Sequence, residues 1–228
     1  LPISISIFRN AYEGSKNLSE ATRKIMHALF GEYGLVVLDA DDHSLKNLFS
    51  DVMRRELLEQ VSFPVMNQTN ERFASHGKIQ VSPREINLFY LADGIRERIT
   101  GNPENGFKVL NTDLQFTSEQ LQQLLSEHPE CFSPNVVLRP VYQELVLPNL
   151  AYIGGPGELN YWLQLKDVFA AFGVFYPILL LRNSFMLVNQ SDASRFIKLG
   201  VAFADIFKSS DQLMLQVLEQ QGSVSIDA

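Results

Sequence analysis

Cysteine is almost missing from this sequence: Cys131 stands alone in 228 residues. That excludes an internal disulfide and a multi-cysteine zinc site, and it suits a reducing cytoplasm. Tryptophan is just as scarce, with Trp162 alone. No apolar run approaches the roughly 20 residues that a membrane-spanning helix needs, so no membrane partner is expected. A basic excess is missing too, since 19 Lys and Arg face 26 Asp and Glu for a formal net charge of −7. Such a balance argues against a nucleic-acid backbone as the main partner. His27, His76 and His128 show no ligand spacing, and His43 beside its aspartates reads as exposed, so no metal site is expected. The start, Leu1-Pro2-Ile3-Ser4, has neither an initiator Met nor a basic signal-peptide region. The end still runs as an amphipathic helical pattern through Leu213, Leu215, Val217 and Leu218. Both ends look cut, and the sequence reads as an excerpt from a longer protein.

What is present is an ordinary globular balance, 46% hydrophobic and 20% charged. Helical patterns are expected over 17–30, with Ser19 as N-cap, and over 44–60, with Leu45, Leu48, Phe49, Val52 and Leu57 as the apolar stripe. Between them Leu35-Val36-Val37-Leu38 reads as a strand buried on both faces. Helix, strand, helix is the order of a doubly wound α/β fold. Residues 62–78 read as a polar loop with one short helical candidate. Short strands at 86–91, 94–99 and 107–111, separated by Asp93-Gly94 and Asn102-Pro103, predict a small antiparallel insert. Thr117 and Gln120 resemble a capping box for a helix that His128-Pro129 closes. Alternation then returns: helix 134–147, strand 150–153, helix 158–172 closed by Gly173, buried strand 177–181, and mostly helix over 188–208 and 210–221.

The stretch from Leu147 to Trp162 concentrates the chemistry. An apolar run enters Gly154-Gly155-Pro156-Gly157 and emerges as a helix bearing Glu158, Asn160, Tyr161 and Trp162. Small residues such as Gly155 and Gly157 let a ligand approach the backbone. The turn is not the dinucleotide fingerprint, and a tight strand–helix connection explains it equally well. Glu158 at a helix N-terminus is explained by the dipole alone. The same carboxylate would repel a phosphate and attract an ammonium. Trp162 fits a core aromatic beside Leu159, Leu163 and Phe169, or a stacking platform for a sugar or an adenine ring. Asp39 and Asp42 follow the 35–38 run, where open α/β sheets collect ligands, or they cap the next helix. Arg139 and Arg182 can fork onto carboxylates or a phosphate, with ion pairs to Glu144 or Glu158 as the alternative. Gln143 and Glu144 serve either role. Cys131, without a basic neighbour, reads as a packed or surface thiol.

From His128-Pro129-Glu130-Cys131-Phe132-Ser133-Pro134-Asn135-Val136-Val137-Leu138-Arg139-Pro140 onward the sequence closely resembles a known family. Gln143-Glu144, Leu147-Pro148, the turn through Tyr161-Trp162, Leu165-Lys166, Phe169 and Arg182 follow in the family's order and at its separations. The family is that of the bacillithiol-biosynthesis cysteine-adding enzyme BshC, whose pattern runs Asn-Val-x-x-Arg-Pro, Gln-Glu, Gly-Pro-Gly-Glu, Tyr-Trp, Leu-Lys and a final Pro…Arg. The likeness is strong over 127–187 and weaker over 34–99, where residues 35–42 and Asn87-Leu88-Phe89-Tyr90 match. Asp39 and Asp42 lie within it.

The resemblance implies an α/β fold: a Rossmann-like, partly parallel sheet with a small β insert and a C-terminal helical, coiled-coil segment. On that reading residues 1–61 are part of the α/β core and 62–116 an inserted connecting region. Residues 117–188 carry the Rossmann-like core with the glycine-glutamate site, and 189–228 begin the coiled coil. It implies the addition of L-cysteine to glucosaminyl-malate; for that chemistry the residues themselves point to Glu158 as the catalytic carboxylate, reading an amine and tuning it for attack. Asp39, Asp42, Arg139, Gln143, Glu144, Gly155, Gly157, Asn160, Tyr161, Trp162 and Arg182 are the expected substrate-binding residues. No cofactor is fixed; a nucleotide such as ATP or ADP suits a synthetase-like fold. The partners implied are those small-molecule substrates and a second copy through the C-terminal helix. Two family features are not found, a glycine-glutamine-rich first turn and an acidic-histidine motif. The chain therefore resembles the C-terminal part of the core and is expected to be inactive alone. The rival expectation is a non-catalytic nucleotide- or sugar-binding module.

Overall fold

The computed structural model describes residues 3–220 and 222, in two units, Leu1–Arg182 and Asn183–Ala228. The first unit opens with α1 (Ile3–Glu13), a helix that the sequence did not announce. Next comes α2 (Leu18–Phe30), capped by Asn17, whose side chain accepts from the Glu20 N–H at 2.9 Å. Asn17 takes the cap expected of Ser19 because its extended backbone sits three residues before that donor. Ser19 instead donates its hydroxyl to Asp39.

Residues 35–38 form no strand. Their backbone joins no ladder among the described residues, and Leu35, Val36 and Leu38 are exposed at 40%, 62% and 44%. A strand is defined by its neighbours, so an apolar run without a pairing edge stays extended and single. The helix expected over 44–60 is two, α3 (His43–Leu48) and α4 (Ser50–Glu59), broken at Phe49. The break shifts the helical phase. Phe49, Val52 and Leu57 are buried as expected, whereas Leu48 faces outward.

The expected polar loop is largely α5 (Ser62–Phe73). Its inner face is mostly polar, which hid its period: beside the core residue Met66, Ser62, Thr69 and Asn70 are buried and hydrogen-bonded. Together with Asn87, Ser62 surrounds the carboxylate of Glu56, which is 0% exposed. Glu56 Oε1 accepts from Ser62 Oγ at 2.6 Å, from the Asn87 N–H at 3.0 Å and from Asn87 Nδ2 at 3.1 Å.

An antiparallel sheet follows, formed by β1 (Leu88–Ala92), β2 (Ile95–Asn102), β3 (Gly106–Val109), β4 (Gln115–Phe116) and β5 (Phe132–Pro134) in the order β4-β3-β2-β1-β5. Leu88, Ile99, Phe107 and Phe132 supply its core face, each at most 1% exposed. Before β5, α6 (Ser118–Glu127) starts at the expected capping box and ends before His128-Pro129. Residues 134–138 are not helical. Pro134 closes the edge strand β5 opposite Leu88, and α7 (Arg139–Val146) begins only at Arg139, with the next proline in its first turn.

The parallel element is β6 (Ala151–Gly154) beside β7 (Ile178–Leu181), joined through α8 (Pro156–Leu163) and α9 (Lys166–Phe172). The single helix expected over 158–172 breaks where buried Gln164 turns to Asn70 and to the Gln80 N–H. Gly173 closes α9 with φ of 70°. Neither strand is buried as expected: Ile153, Ile178 and Leu181 are 63%, 65% and 63% exposed.

The second unit holds α10 (Gln190–Leu199), capped by Asn189, a 3₁₀ stretch Phe203–Phe207, and α11 (Ser210–Gln220). Gln221, the last residue of the helix expected there, lies outside the described residues. No described residue of this unit is buried. Among the described residues no helix is long and apolar enough to cross a membrane.

Candidate functional site

Parallel pairing assembles the glycine turn. β6 and β7 pair Gly154 with Leu181, and the ladder continues as the Arg182 N–H donates to the Gly154 carbonyl at 2.8 Å. Arg182 is thereby carried to the mouth of the turn. A Cβ built on Gly155 would meet Arg182 Nη2 at 3.1 Å and Glu158 Oε2 at 3.3 Å. Gly155 is small because an arginine and a carboxylate converge on it. Gly154 answers to packing, since its Cβ would meet Tyr152 at 2.7 Å, while a Cβ on Gly157 would meet nothing within 4 Å.

Glu158 does two things here. Its Oε2 accepts from the Gly155 N–H at 2.7 Å, which caps α8 and removes one of the free donors a phosphate would use. Its Oε1 accepts from the Tyr152 hydroxyl at 3.4 Å. Burial, followed by the neighbouring Tyr161 and Glu158, pushes the Tyr152 hydroxyl up to about 12, so it stays a neutral donor. Burial also raises Tyr161. Among the described residues Arg182 forms no ion pair with Glu158 or any other carboxylate. The turn thus presents a carboxylate and a free guanidinium side by side.

Trp162 is 1% exposed and takes the core role. Tyr152 stacks on it at 3.9 Å, and Phe169 and Tyr176 flank it at 5.6 and 6.2 Å. That packing leaves the indole no free face for a sugar or an adenine ring. Asn160, two residues earlier, donates to the Lys78 carbonyl at 3.2 Å and ties α8 to the segment before β1.

The other expected residues lie apart. Asp42 caps α3 through the Ser44 and Leu45 N–H groups at 2.8 and 3.3 Å. Asp39 accepts from Ser19 and from the Asp41 N–H, and these bonds, the serine first, hold its carboxyl below the usual range. Glu144, 1% exposed, accepts from the Asn149 backbone at 2.9 Å and from Gln143 at 3.0 Å rather than from Arg139. Arg139 and Gln143 do share a cavity of about 360 Å³ with Val36, Leu38 and Tyr142. No hydrogen bond or ion pair among the described residues joins Arg139, Gln143 or Glu144 to the glycine turn.

The sequence reading passed over Tyr152. Its place two residues before Gly154 on a strand was the available signal, because that spacing returns a side chain to the same face. Among the described residues no group of three or more His, Cys, Asp or Glu is arranged to hold a metal ion.

A parallel strand pair, a crossover through two short helices and a polar turn at the strand end define a Rossmann-like α/β domain. The family model described as "Bacillithiol biosynthesis BshC, N-terminal Rossmann-like domain" matches residues 3–183, and the chain belongs to this family. A protein of Cytophaga hutchinsonii named "Putative cysteine ligase BshC" is 47% identical over 223 residues, covering 96% of this chain and 42% of its own length. Proteins of the same name from Flavobacterium johnsoniae and Christiangramia forsetii are 41% and 44% identical, over 97% of this chain and 41% of their own lengths. The chain thus spans about two fifths of the length of the curated relatives it matches.

Proposed function

We propose that this chain is part of a cysteine ligase of bacillithiol biosynthesis that joins L-cysteine to glucosaminyl-malate in the cytoplasm. The observation that carries the reading is the family match over residues 3–183, supported by 47% identity to a relative bearing the ligase name. In the reaction the sugar amine attacks the carboxyl carbon of cysteine. An amide C–N bond forms, one carboxylate oxygen leaves and the amine loses a proton. The leaving oxygen requires an activating group, for which a nucleotide such as ATP is the proposed source.

Glu158 is the proposed catalytic carboxylate, since it attracts the ammonium form of the amine and accepts its proton. Tyr152 and the Gly155 N–H fix its two oxygens. Arg182 is proposed to hold a substrate carboxylate beside it, with Gly155, Gly157, Asn160 and Tyr161 shaping the approach. Arg139, Gln143, Asp39 and Asp42 form a second proposed wall, in which Glu144 positions the Gln143 amide. Trp162 acts through packing. The apolar residues Leu213, Leu215, Val217 and Leu218 of α11, none of them buried, support a proposed homodimer through that helix.

A complementation experiment tests the reading. A strain lacking the family enzyme regains bacillithiol when it expresses the full-length protein containing this chain. Stable expression without any return of the thiol would overturn the proposal.

A further inference from the structure

The outward face of the antiparallel sheet carries a concentration of positive charge that the glycine turn does not use. Phe89, Arg98 and Ser133 lie opposite one another across β1, β2 and β5. Arg96, two residues before Arg98, shares their face. The reverse face is the buried one, with Leu88, Ile99 and Phe132. Above the outward face opens a cleft of about 770 Å³, which Arg84 from the segment before β1 and Arg139 from the start of α7 also line. Four arginines from three separate segments therefore line one cleft in a chain whose net charge is −7.

Their charge is not neutralised from within. The carboxylate in the cleft is Asp41, and its Oδ1 is held by Lys46 Nζ at 3.0 Å. Among the described residues none of the four guanidinium groups forms a hydrogen bond or an ion pair. Arg96 lies over the Phe89 ring at 4.1 Å and Arg139 over the Tyr142 ring at 5.6 Å. Stacking of this kind uses the flat face of a guanidinium and leaves its N–H edge, the part that forks onto an oxyanion, free.

The floor is also rigid. Asn135 in the cleft donates to Asn87 Oδ1 at 2.8 Å, and Asn87 is anchored on the buried Glu56 carboxylate. Like charges gathered in a concavity repel one another, and an anion between them relieves that repulsion while supplying charge-assisted hydrogen bonds. Because the arginines come from different walls, one oxyanion group satisfies only some of them. One face of Phe89 is taken by Arg96, which counts against an aromatic base as the main anchor.

We propose that this cleft binds a small polyanion, a molecule with two or more carboxylate or phosphate groups. The inference stands without the ligase reading. Titration calorimetry of the purified chain with L-malate and with inorganic pyrophosphate, at constant ionic strength, tests it. At least one of the two binds saturably at one site per chain, and the one that binds identifies the oxyanion type. Arg96→Ala and Arg98→Ala each weaken binding by about tenfold or more, the loss of a charge-assisted pair. Arg54→Ala, which removes a surface partner of Asp51, leaves it unchanged. Circular dichroism checks folding, and Arg84→Ala, a loop substitution, replaces either strand variant that unfolds. Failure of both anions to bind the folded chain, or wild-type affinity in the arginine variants, would overturn the proposal.

Discussion

Glu158 shows how one carboxylate can serve structure and proposed chemistry together. Its capping bond to the Gly155 N–H is retained in weaker form in Glu158→Gln, because an amide oxygen still accepts, while the negative charge is lost. The substitution is expected to change stability by less than about 1 kcal/mol. In the full-length enzyme it lowers kcat/KM by about 100-fold, the lower end of a lost general base. Denaturant melts and steady-state rates separate the two effects. Glu130 makes a different residue-scale prediction. Burial works against its ionised form, but its backbone hydrogen bond, His128 and His43 outweigh that and hold the carboxyl at about 2. His43 and His128 lie 2.7 and 3.0 Å away. The folded value is below the ordinary 4.5, so its stabilisation is complete above that pH and is lost as pH falls toward about 2. Melting temperature followed between pH 5 and pH 2 should fall less steeply in Glu130→Gln than in the wild type. Equal slopes would remove Glu130 from the account.

At the scale of elements, local signals were legible and relational ones were not. The capping box Thr117–Gln120 is local, and both of its bonds form, at 2.9 and 3.3 Å. Thr117→Ala is expected to cost about 1 kcal/mol, read from denaturant melts. The hairpins at Asp93-Gly94 and Asn102-Pro103 were equally readable from turn chemistry. By contrast, α5 showed only as one short helical candidate, because Ser62, Thr69 and Asn70 flank the single buried apolar residue Met66, and a hydrophobic period reports a largely polar face poorly. Residues 35–38 have the composition of a buried strand, yet composition says nothing about whether a neighbour exists. Within the candidate site, Glu158 and Arg182 were legible as charges beside a strand end. Their convergence on Gly155 required the pairing of β6 with β7; the strand position of Tyr152 was readable, but its hydrogen bond to Glu158 depends on the fold of the turn. The arginine pair Arg96 and Arg98 had a readable strand alternation. Arg84 and Arg139 joined it only through the tertiary fold.

At the scale of the whole molecule, apolar surface is the dominant feature. Parallel strands are ordinarily covered on both faces, whereas Ile153, Ile178 and Leu181 are 63%, 65% and 63% exposed here, and Leu150 just before β6 is 85% exposed. Curated relatives are more than twice as long as the matched region, and we propose that the rest of the protein covers this surface. The glycine turn would then be one wall of a site completed by other segments. We propose that this fold is part of an amide-forming ligase. The most direct test is mass spectrometry of a reaction containing the purified full-length protein, L-cysteine, glucosaminyl-malate and ATP. The expected product has the mass of the two substrates less one water, and Glu158→Gln forms it about 100-fold more slowly. A folded full-length protein that binds both substrates and yields no such product would contradict it.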